Sequence, residues 1–272
     1  MLDAGLRDEV RELIGAVEAR DGAPPLSDHA MLELGHARDG LAHLIAHDGG
    51  RLVGYAQFDE AVAEIADGHG ATSALLAALE DHDQLLVWSH GKHSPVGPAA
   101  EARGYARHRT LWQLRRALAG APKADPPPGV TMRTFVPNQD EDAWLHVNAA
   151  AFAAHAEQGR WTRADIDARE AESWFDPAGF LLAEKSGTIV GFHWTKVHDE
   201  RLGEVYVLGV APQAKGMHLG PALLTAGLDY LRGRGLDTVM LYVDESNRSA
   251  MHLYDHFAFI RHDVDVQYQY RP

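Results

Sequence analysis

The residues best placed to do chemistry lie in GEVYVLGVAPQAKGMHLGPAL, residues 203–223. A carboxylate, Glu204, opens an alternating run, Glu204-Val205-Tyr206-Val207-Leu208, that reads as a short strand. Gly209 and Val210 lead into a loop carrying Lys215, Gly216 and Gly220, and an apolar helical repeat follows. N–H groups left free at a helix start carry partial positive charge and suit a phosphate or pyrophosphate. The glycines let backbone approach such a ligand, and the lysine adds one cation. A glycine-bearing turn alone is a weak signal. A carboxylate upstream on the same strand is the specific one.

These residues need a scaffold, and the chain divides to supply it. Residues 119–129, AGAPKADPPPG, contain three consecutive prolines, which cannot extend a helix and favour a stiff linker. On either side, 1–118 and 130–272 are each of domain size. The halves repeat an order of elements. The first reads as helix 6–20, helix 28–35 and strands 41–46 and 51–59; the second as helix 141–152, helix 163–171 and strands 179–185 and 189–197. A Val-Gly pair follows each hairpin turn, Val53-Gly54 and Val190-Gly191. The pattern predicts a duplicated α/β unit built on mixed sheet. In the second half come the strand and loop above, helix 219–234, strand 238–243, helix 249–257 and strand 263–270. In the first, residues 61–70 leave little room for a strand and an anion loop before helix 72–79. Strand 85–89, a glycine- and proline-bearing loop and strand 110–115 complete it, so this half is expected to be a reduced copy.

Composition excludes several functions. A formal charge of −14 argues against a nucleic-acid binder, whose affinity rests on Lys and Arg. The chain has no apolar run of about 18 residues that would span a membrane. The opening MLDAGLRDEV has no basic segment followed by an apolar one, so a cytosolic protein is expected. Zero cysteines exclude disulfides, thiolate metal sites and cysteine nucleophiles. The 17 histidines are scattered without HExxH spacing, so they read as surface or core-edge residues and no metal is expected.

The order of elements and the loop resemble the GNAT (GCN5-related N-acetyltransferase) fold. Its acetyl-CoA loop, Gln/Arg-x-x-Gly-x-Gly/Ala, aligns with Lys215 to Gly220. Lys215 stands where Gln or Arg is usual, and His218 where the family has its central glycine. Within GNATs, the segments WLHVNAAAFAAHAEQGRW (144–161), WFDPAGFLLA (174–183), GFHWTKVH (191–198), LGEVYVLGVAP (202–212) and MLYVDESNRSAMHLY (240–254) resemble the mycothiol synthase family. HAMLELG (29–35), LLVWSHG (85–91) and LWQLRR (111–116) are weaker likenesses in the first half. The resemblance implies a tandem-GNAT acetyltransferase that moves acetyl from acetyl-CoA to the cysteinyl amine of desacetylmycothiol, with the second half catalytic. The first half is expected to bind acetyl-CoA weakly or not at all.

The resemblance also implies roles. Two parallel strands splay around the acyl chain; Leu208, Gly209 and Val210 pair with the pantetheine arm. Lys215, Gly216, Met217, His218, Leu219, Gly220 and Pro221 take the pyrophosphate, and Asn247, Arg248, Ser249, Ala250, Met251 and His252 form the last cofactor segment. Glu204 is the general base; an ordinary carboxylate near 4 is a poor partner for an amine near 8, so a relay or a raised pKa is needed. An exposed strand glutamate is the alternative. Tyr254 is the general acid, its phenol donating to the leaving thiolate, with a packing tyrosine as alternative. Asn247 or Ser249 can also serve as an N-cap. Glu33, Glu157, Lys196, Glu204 and Tyr242 line the acceptor site, where His193, Trp194 and Trp161 are either walls or core. Two rivals remain: a GNAT for another small amine or peptide N-terminus, and a non-catalytic acyl-CoA-binding protein. A small-molecule acceptor, no nucleic-acid or membrane partner, and a monomer are expected.

Overall fold

The computed structural model describes residues 2–35, 40–82, 84–153 and 158–271. Two compact units form. The first holds Met1–Trp112, Asp244–Ser246 and Asp263–Pro272; the second holds Gln113–Val243 and Asn247–His262.

Unit 1 begins with α1 (Ala4–Asp21) and α2 (Asp28–Glu33), followed by β1 (Leu41–Asp48), β2 (Arg51–Asp59) and β3 (Val62–Asp67). Then come α3 (Thr72–Leu79), β4 (Leu86–Ser89) and α4 (Val96–Ala102). Asp3 caps α1 by accepting from the Leu6 N–H at 2.9 Å, and Gly22 ends it in the left-handed region at φ 78°. β1–β2 and β2–β3 are antiparallel, whereas β3 and β4 are parallel, Val62–Glu64 facing Leu86–Trp88. β5 (Ala106–Ala117) divides between the units at Trp112 and Gln113.

Unit 2 contains β6 (Val130–Thr134), α5 (Glu141–Ala151), α6 (Arg163–Glu170), β7 (Phe180–Lys185) and β8 (Thr188–Val197). It continues with β9 (Leu202–Val210), α7 (Leu219–Gly233), β10 (Thr238–Asp244) and α8 (Arg248–His256). Strand order is β10-β9-β8-β7-β6. Ser186 and Gly187, at φ 53° and 78°, turn β7 into β8. β8 is buried from Ile189 through Lys196, because α5 covers one face and α7 the other. An aromatic core of Trp144, Phe180, Phe192 and Trp194 lies on the α5 side. On the α7 side His193 is fully buried, its Nδ1 donating to the Leu223 carbonyl at 2.8 Å. Burial pushes that imidazole down to about 4, so it is neutral. Gly227 makes room for it: a Cβ there would stand 2.0 Å from the ring. The Pro-rich segment straps α7, where the Ala124 N–H donates to Thr225 Oγ1 at 3.1 Å and Lys123 pairs with Asp229 at 2.9 Å.

Four features depart from the sequence reading. Residues 62–67 do form a strand, because β3 finds backbone partners on both sides despite Glu64 and Asp67. Val96–Ala102 forms a helix although it carries Gly97 and Pro98, both poor helix formers. Val130–Thr134 pairs with β7 as an edge strand. The final strand, β11 (Ile260–Gln269), pairs antiparallel with β4, Val266 facing Ser89, so it completes the sheet of unit 1.

A charge cluster holds β11 there. His90 lies between two carboxylates, Nδ1 3.0 Å from Asp265 and Nε2 3.1 Å from Glu64. Glu64 also accepts from Ser27 N–H at 2.5 Å and from its hydroxyl at 2.7 Å. Burial alone would lower the imidazole, but Asp265 and Glu64 outweigh it and hold His90 at about 10. A raised folded pKa gives stability that is complete below the ordinary histidine value of about 6.5 and is lost as pH rises through about 10. His90→Gln is therefore expected to cost about 3 kcal/mol at pH 7, with the gap to wild type narrowing toward pH 10. Urea unfolding across that range measures it, and a gap independent of pH would show that the ring carries no charge.

Candidate functional site

The site is built where two neighbouring strands stop pairing. β9 and β10 run parallel and are matched at three positions only, Leu202 with Thr238, Gly203 with Val239 and Glu204 with Met240. Beyond that rung β9 continues to Val210 and β10 to Asp244 without pairing to each other. The edge of β9 that faces β10 therefore leaves main-chain groups at Leu208 and Val210 for another partner, whereas Gly209, expected from the sequence to join them, spends its own on Phe192 of β8.

One residue in β9 changes which way its side chains point. Thr195 of β8 faces Val205 and Trp194 faces Val207, so Tyr206 is an extra residue, a bulge. Before it, Gly203 faces α7, where a Cβ would press on Leu231; after it, Gly209 faces the opposite side, toward Phe192 and Phe152. The slip puts Glu204, Tyr206, Val207 and Gly209 on the α5 side. Leu208 and Val210 pack with Leu219 and Leu223 instead.

Glu204 is buried on the last paired rung and opposite Lys196 across the hairpin. Its Oε2 lies 2.7 Å from His198 Nε2. Lys196 is also buried, its Nζ 4.9 Å from the Trp174 ring centroid and 5.5 Å from Tyr206. Arg169 supports this wall, stacking 3.8 Å over Trp161 and donating from Nε to the Tyr206 hydroxyl at 2.9 Å. A cleft of about 470 Å³ opens beside them, with Trp174, Asp176, Lys196, His198 and Arg234 among its walls. Asp176 is tied to the Tyr230 hydroxyl at 2.7 Å and to Arg234 at 2.5 Å. Hydrogen bonding from Tyr230 outweighs burial and holds that carboxyl below its usual range.

After Val210 the chain makes a 3-10 turn, Pro212–Ala214, and reaches α7 through Lys215, Gly216, Met217 and His218. Gly216 and His218 are both left-handed, at φ 82° and 57°. The first turn of α7 leaves N–H groups without helical acceptors, and Pro221 has none to offer. His218 thus occupies a conformation that favours glycine, in the place where the loop pattern has one.

The remaining residues singled out by sequence fall into place as follows. Tyr254 is buried on α8 against Phe259, and burial pushes its phenol up, so it keeps its proton through the neutral range. Asn247 caps α8, its side chain accepting from the Ala250 N–H at 3.1 Å. Arg248, Ser249, Ala250, Met251 and His252 form the first turns of that helix, and Arg248 and Ser249 are exposed. Tyr242 stands two residues beyond Met240 on the same face of β10, its hydroxyl accepting from Gln113 Nε2 at 2.9 Å. Trp194 belongs to the core and His193 packs under α7, while Trp161 and Trp174 stand half-buried beside Tyr206. Glu33 ends α2 in unit 1, and Glu157 lies outside the described residues. Among the described residues no group of acidic or histidine side chains could hold a metal.

His198, Arg169, Trp174 and Asp176 are residues of this site that the sequence reading passed over. His198 had a legible signal: in a hairpin that pairs Lys196 with Glu204, the residue two places past Lys196 lands beside the carboxylate. The others come together only in three dimensions.

Unit 1 repeats this geometry with different contents. Glu64 occupies the third rung of the β3–β4 pairing, as Glu204 does in β9–β10. There His90 and Ser27 take up its carboxylate. The link from β3 to α3 is only Gly68–Ala71, and the amides of Gly68, His69 and Ala71 are already engaged. The Asp67 carboxylate accepts N–H groups of His69 and Ala71 at 2.9 Å and of Thr72 at 3.0 Å.

Comparison with known proteins shows the family and the fold. Residues 145–259 match the model of the acetyltransferase (GNAT) family. A mycothiol acetyltransferase of Streptomyces coelicolor is 48% identical, the match covering 96% of this chain and 91% of that protein. One from Thermomonospora curvata is 47% identical, covering 98% and 96%. Among solved structures, a tandem GNAT protein from the clavulanic acid biosynthesis pathway superposes with a TM-score of 0.72 at 19% identity, over 98% of this chain and 95% of that one. A GCN5-related N-acetyltransferase from Sphaerobacter thermophilus gives 0.67 at 25% identity, over 97% and 92%.

His218→Gly is expected to raise unfolding free energy by about 1 kcal/mol, the left-handed penalty of a residue with a Cβ, without weakening acetyl-CoA binding. Thermal unfolding with and without acetyl-CoA checks both. A loss of stability would show that the imidazole makes a compensating contact.

Proposed function

The chain belongs to the mycothiol acetyltransferases of the GNAT family, and we propose that it moves acetyl from acetyl-CoA to the cysteinyl amine of desacetylmycothiol (cysteinyl-glucosaminyl-inositol). The observation that carries the site assignment is the parting of β9 from β10 just beyond Glu204. Backbone of Leu208 and Val210 on the edge away from β8 suits the amide groups of a pantetheine arm, which would complete the interrupted ladder beside Gly209. A backbone N–H there polarises the thioester carbonyl as charge develops on its oxygen. The loop from Lys215 to Pro221 and the start of α7 suit the pyrophosphate. Asn247 to His252, at the head of α8, close the same cosubstrate site while Asn247 keeps its capping bond.

In this reading Glu204 removes a proton from the acceptor ammonium. The free amine attacks the acetyl carbonyl, the C–S bond breaks, and Tyr254 supplies a proton to the departing thiolate. The neutral phenol that burial enforces supports that role. Lys196, Tyr242 and Glu157 contribute to holding the acceptor, whose hydroxyls and amine call for both donors and carboxylates. Unit 1 serves as scaffold without a second acetyl-CoA. The reason is physical: Asp67 sets a carboxylate among the very amides a pyrophosphate would need.

Incubation with acetyl-CoA and the cysteinyl acceptor should add one acetyl group to it, read by mass. Glu204→Gln is expected to lower kcat about a hundredfold or more with acetyl-CoA affinity retained, and Tyr254→Phe to lower kcat while keeping the packing of the ring. The intact protein weighed with its cosubstrate should carry one acetyl-CoA per chain. Unchanged turnover in Glu204→Gln would remove the base assignment, and two acetyl-CoA per chain would place one in unit 1.

A further inference from the structure

We propose that His198 is a positioning residue for the base: its Nε2–H holds one oxygen of the Glu204 carboxylate, so that the other is presented to the acceptor ammonium. The inference rests on the reading of Glu204 as base and adds what keeps that base aimed.

The direction of the bond follows from chemistry. Glu204 Oε2 and His198 Nε2 stand 2.7 Å apart, the separation of a charge-assisted hydrogen bond. An ionised carboxylate can only accept, so the hydrogen belongs to Nε2. That holds for the neutral Nε2–H tautomer and for the imidazolium alike, so the bond does not depend on the charge of the ring. No proton needs to move along it.

The backbone that carries His198 is closed tightly. Its N–H donates to the Leu202 carbonyl at 2.9 Å, and Asp199 Oδ1 accepts from the Arg201 and Leu202 N–H groups at 2.7 and 2.8 Å. The Arg201 carbonyl accepts in turn from the Asp237 and Thr238 N–H groups at 3.1 and 3.0 Å. Leu202 is also the first rung of the β9–β10 match. The turn that presents the imidazole is thus tied to the two strands whose parting makes the site.

Without this donor the carboxylate has a competing partner. Lys196 lies directly opposite Glu204 across the hairpin, and both are buried. An ion pair between them would take the oxygens that the acceptor amine needs. His198, two residues beyond Lys196 on the same face of the hairpin, draws the carboxylate toward the turn instead. Lys196 Nζ rests against aromatic rings, 4.9 Å from the centroid of Trp174 and 5.5 Å from that of Tyr206. A donor on a carboxylate lowers its proton affinity, so the bond costs some basicity. Orientation outweighs that cost. Rate follows basicity only fractionally and a proton is taken only across a hydrogen-bond distance, whereas a displacement of about 1 Å can cost about a hundredfold.

The test uses the full chain with acetyl-CoA and cysteinyl-glucosaminyl-inositol. His198→Leu keeps the bulk and removes the donor. It should lower kcat by about tenfold to a hundredfold while acetyl-CoA affinity is kept. His198→Gln places an amide N–H at the reach of Nε2 and should recover most of that loss, which a ring needed only for packing would not do. In a Glu204→Gln background, His198→Leu should cost no more than about twofold further, because the histidine acts through the carboxylate. Wild-type turnover in His198→Leu overturns the proposal. So does a His198→Gln that binds acetyl-CoA yet is as slow as His198→Leu, and so does an undiminished loss in the Glu204→Gln background. If His198→Leu does not fold, His198→Ala takes its place in each comparison. An active His198→Leu beside a slow Glu204→Gln removes the positioning alone, whereas unchanged turnover in Glu204→Gln removes the base reading as well.

Discussion

Two parallel strands that share three rungs and then separate are the constraint on which the site depends. A buried strand edge cannot be left without hydrogen-bond partners at no cost, so the gap between β9 and β10 asks for something that carries amides of its own. Everything else is arranged around that opening. The Tyr206 bulge, two residues past the last paired rung, turns the side chains of β9, so that Leu208 and Val210 anchor against α7 although Glu204 before it faces the α5 side. α7 starts where β9's loop delivers it, with free amides at its head. The aromatic wall of Trp161, Trp174 and Tyr206, underlain by Arg169, fixes Lys196 beside the carboxylate.

Unit 1 shows what becomes of the same plan when its openings are filled from within. β3 and β4 keep the three-rung parallel match, and Glu64 keeps the rung that Glu204 holds. His90, Ser27 and Asp265 convert that carboxylate into part of a buried charge cluster, and Asp67 occupies the amides of the shortened loop. Reactive geometry has become structural geometry by the supply of internal partners. The last strand of the chain joins this unit, so β11 and the cluster together make the N-terminal sheet depend on C-terminal residues.

Much of unit 2 was legible in the sequence because its signals are local. The alternation from Glu204 to Leu208, the basic loop and the apolar spacing of α7 each report a nearby constraint, and the long segments shared with one enzyme family brought the residue roles with them. Three things were not legible. The bulge at Tyr206 leaves the apolar pattern unchanged, because both faces of β9 are covered. β3 is too short and too acidic to announce itself, and it forms because two neighbouring strands offer backbone partners. The return of β11 to unit 1 is a choice between two sheets that no local pattern encodes. His198 lay inside a recognised segment, but its meaning appears only with the hairpin register that seats it against Glu204.

Amide hydrogen exchange with and without acetyl-CoA addresses the account most directly. Binding should protect the N–H groups of Leu208 and Val210 and of the loop leading into α7, and leave β3, β4 and residues 68–72 unchanged. Protection confined to unit 1, or none along β9 at saturating acetyl-CoA, would contradict it.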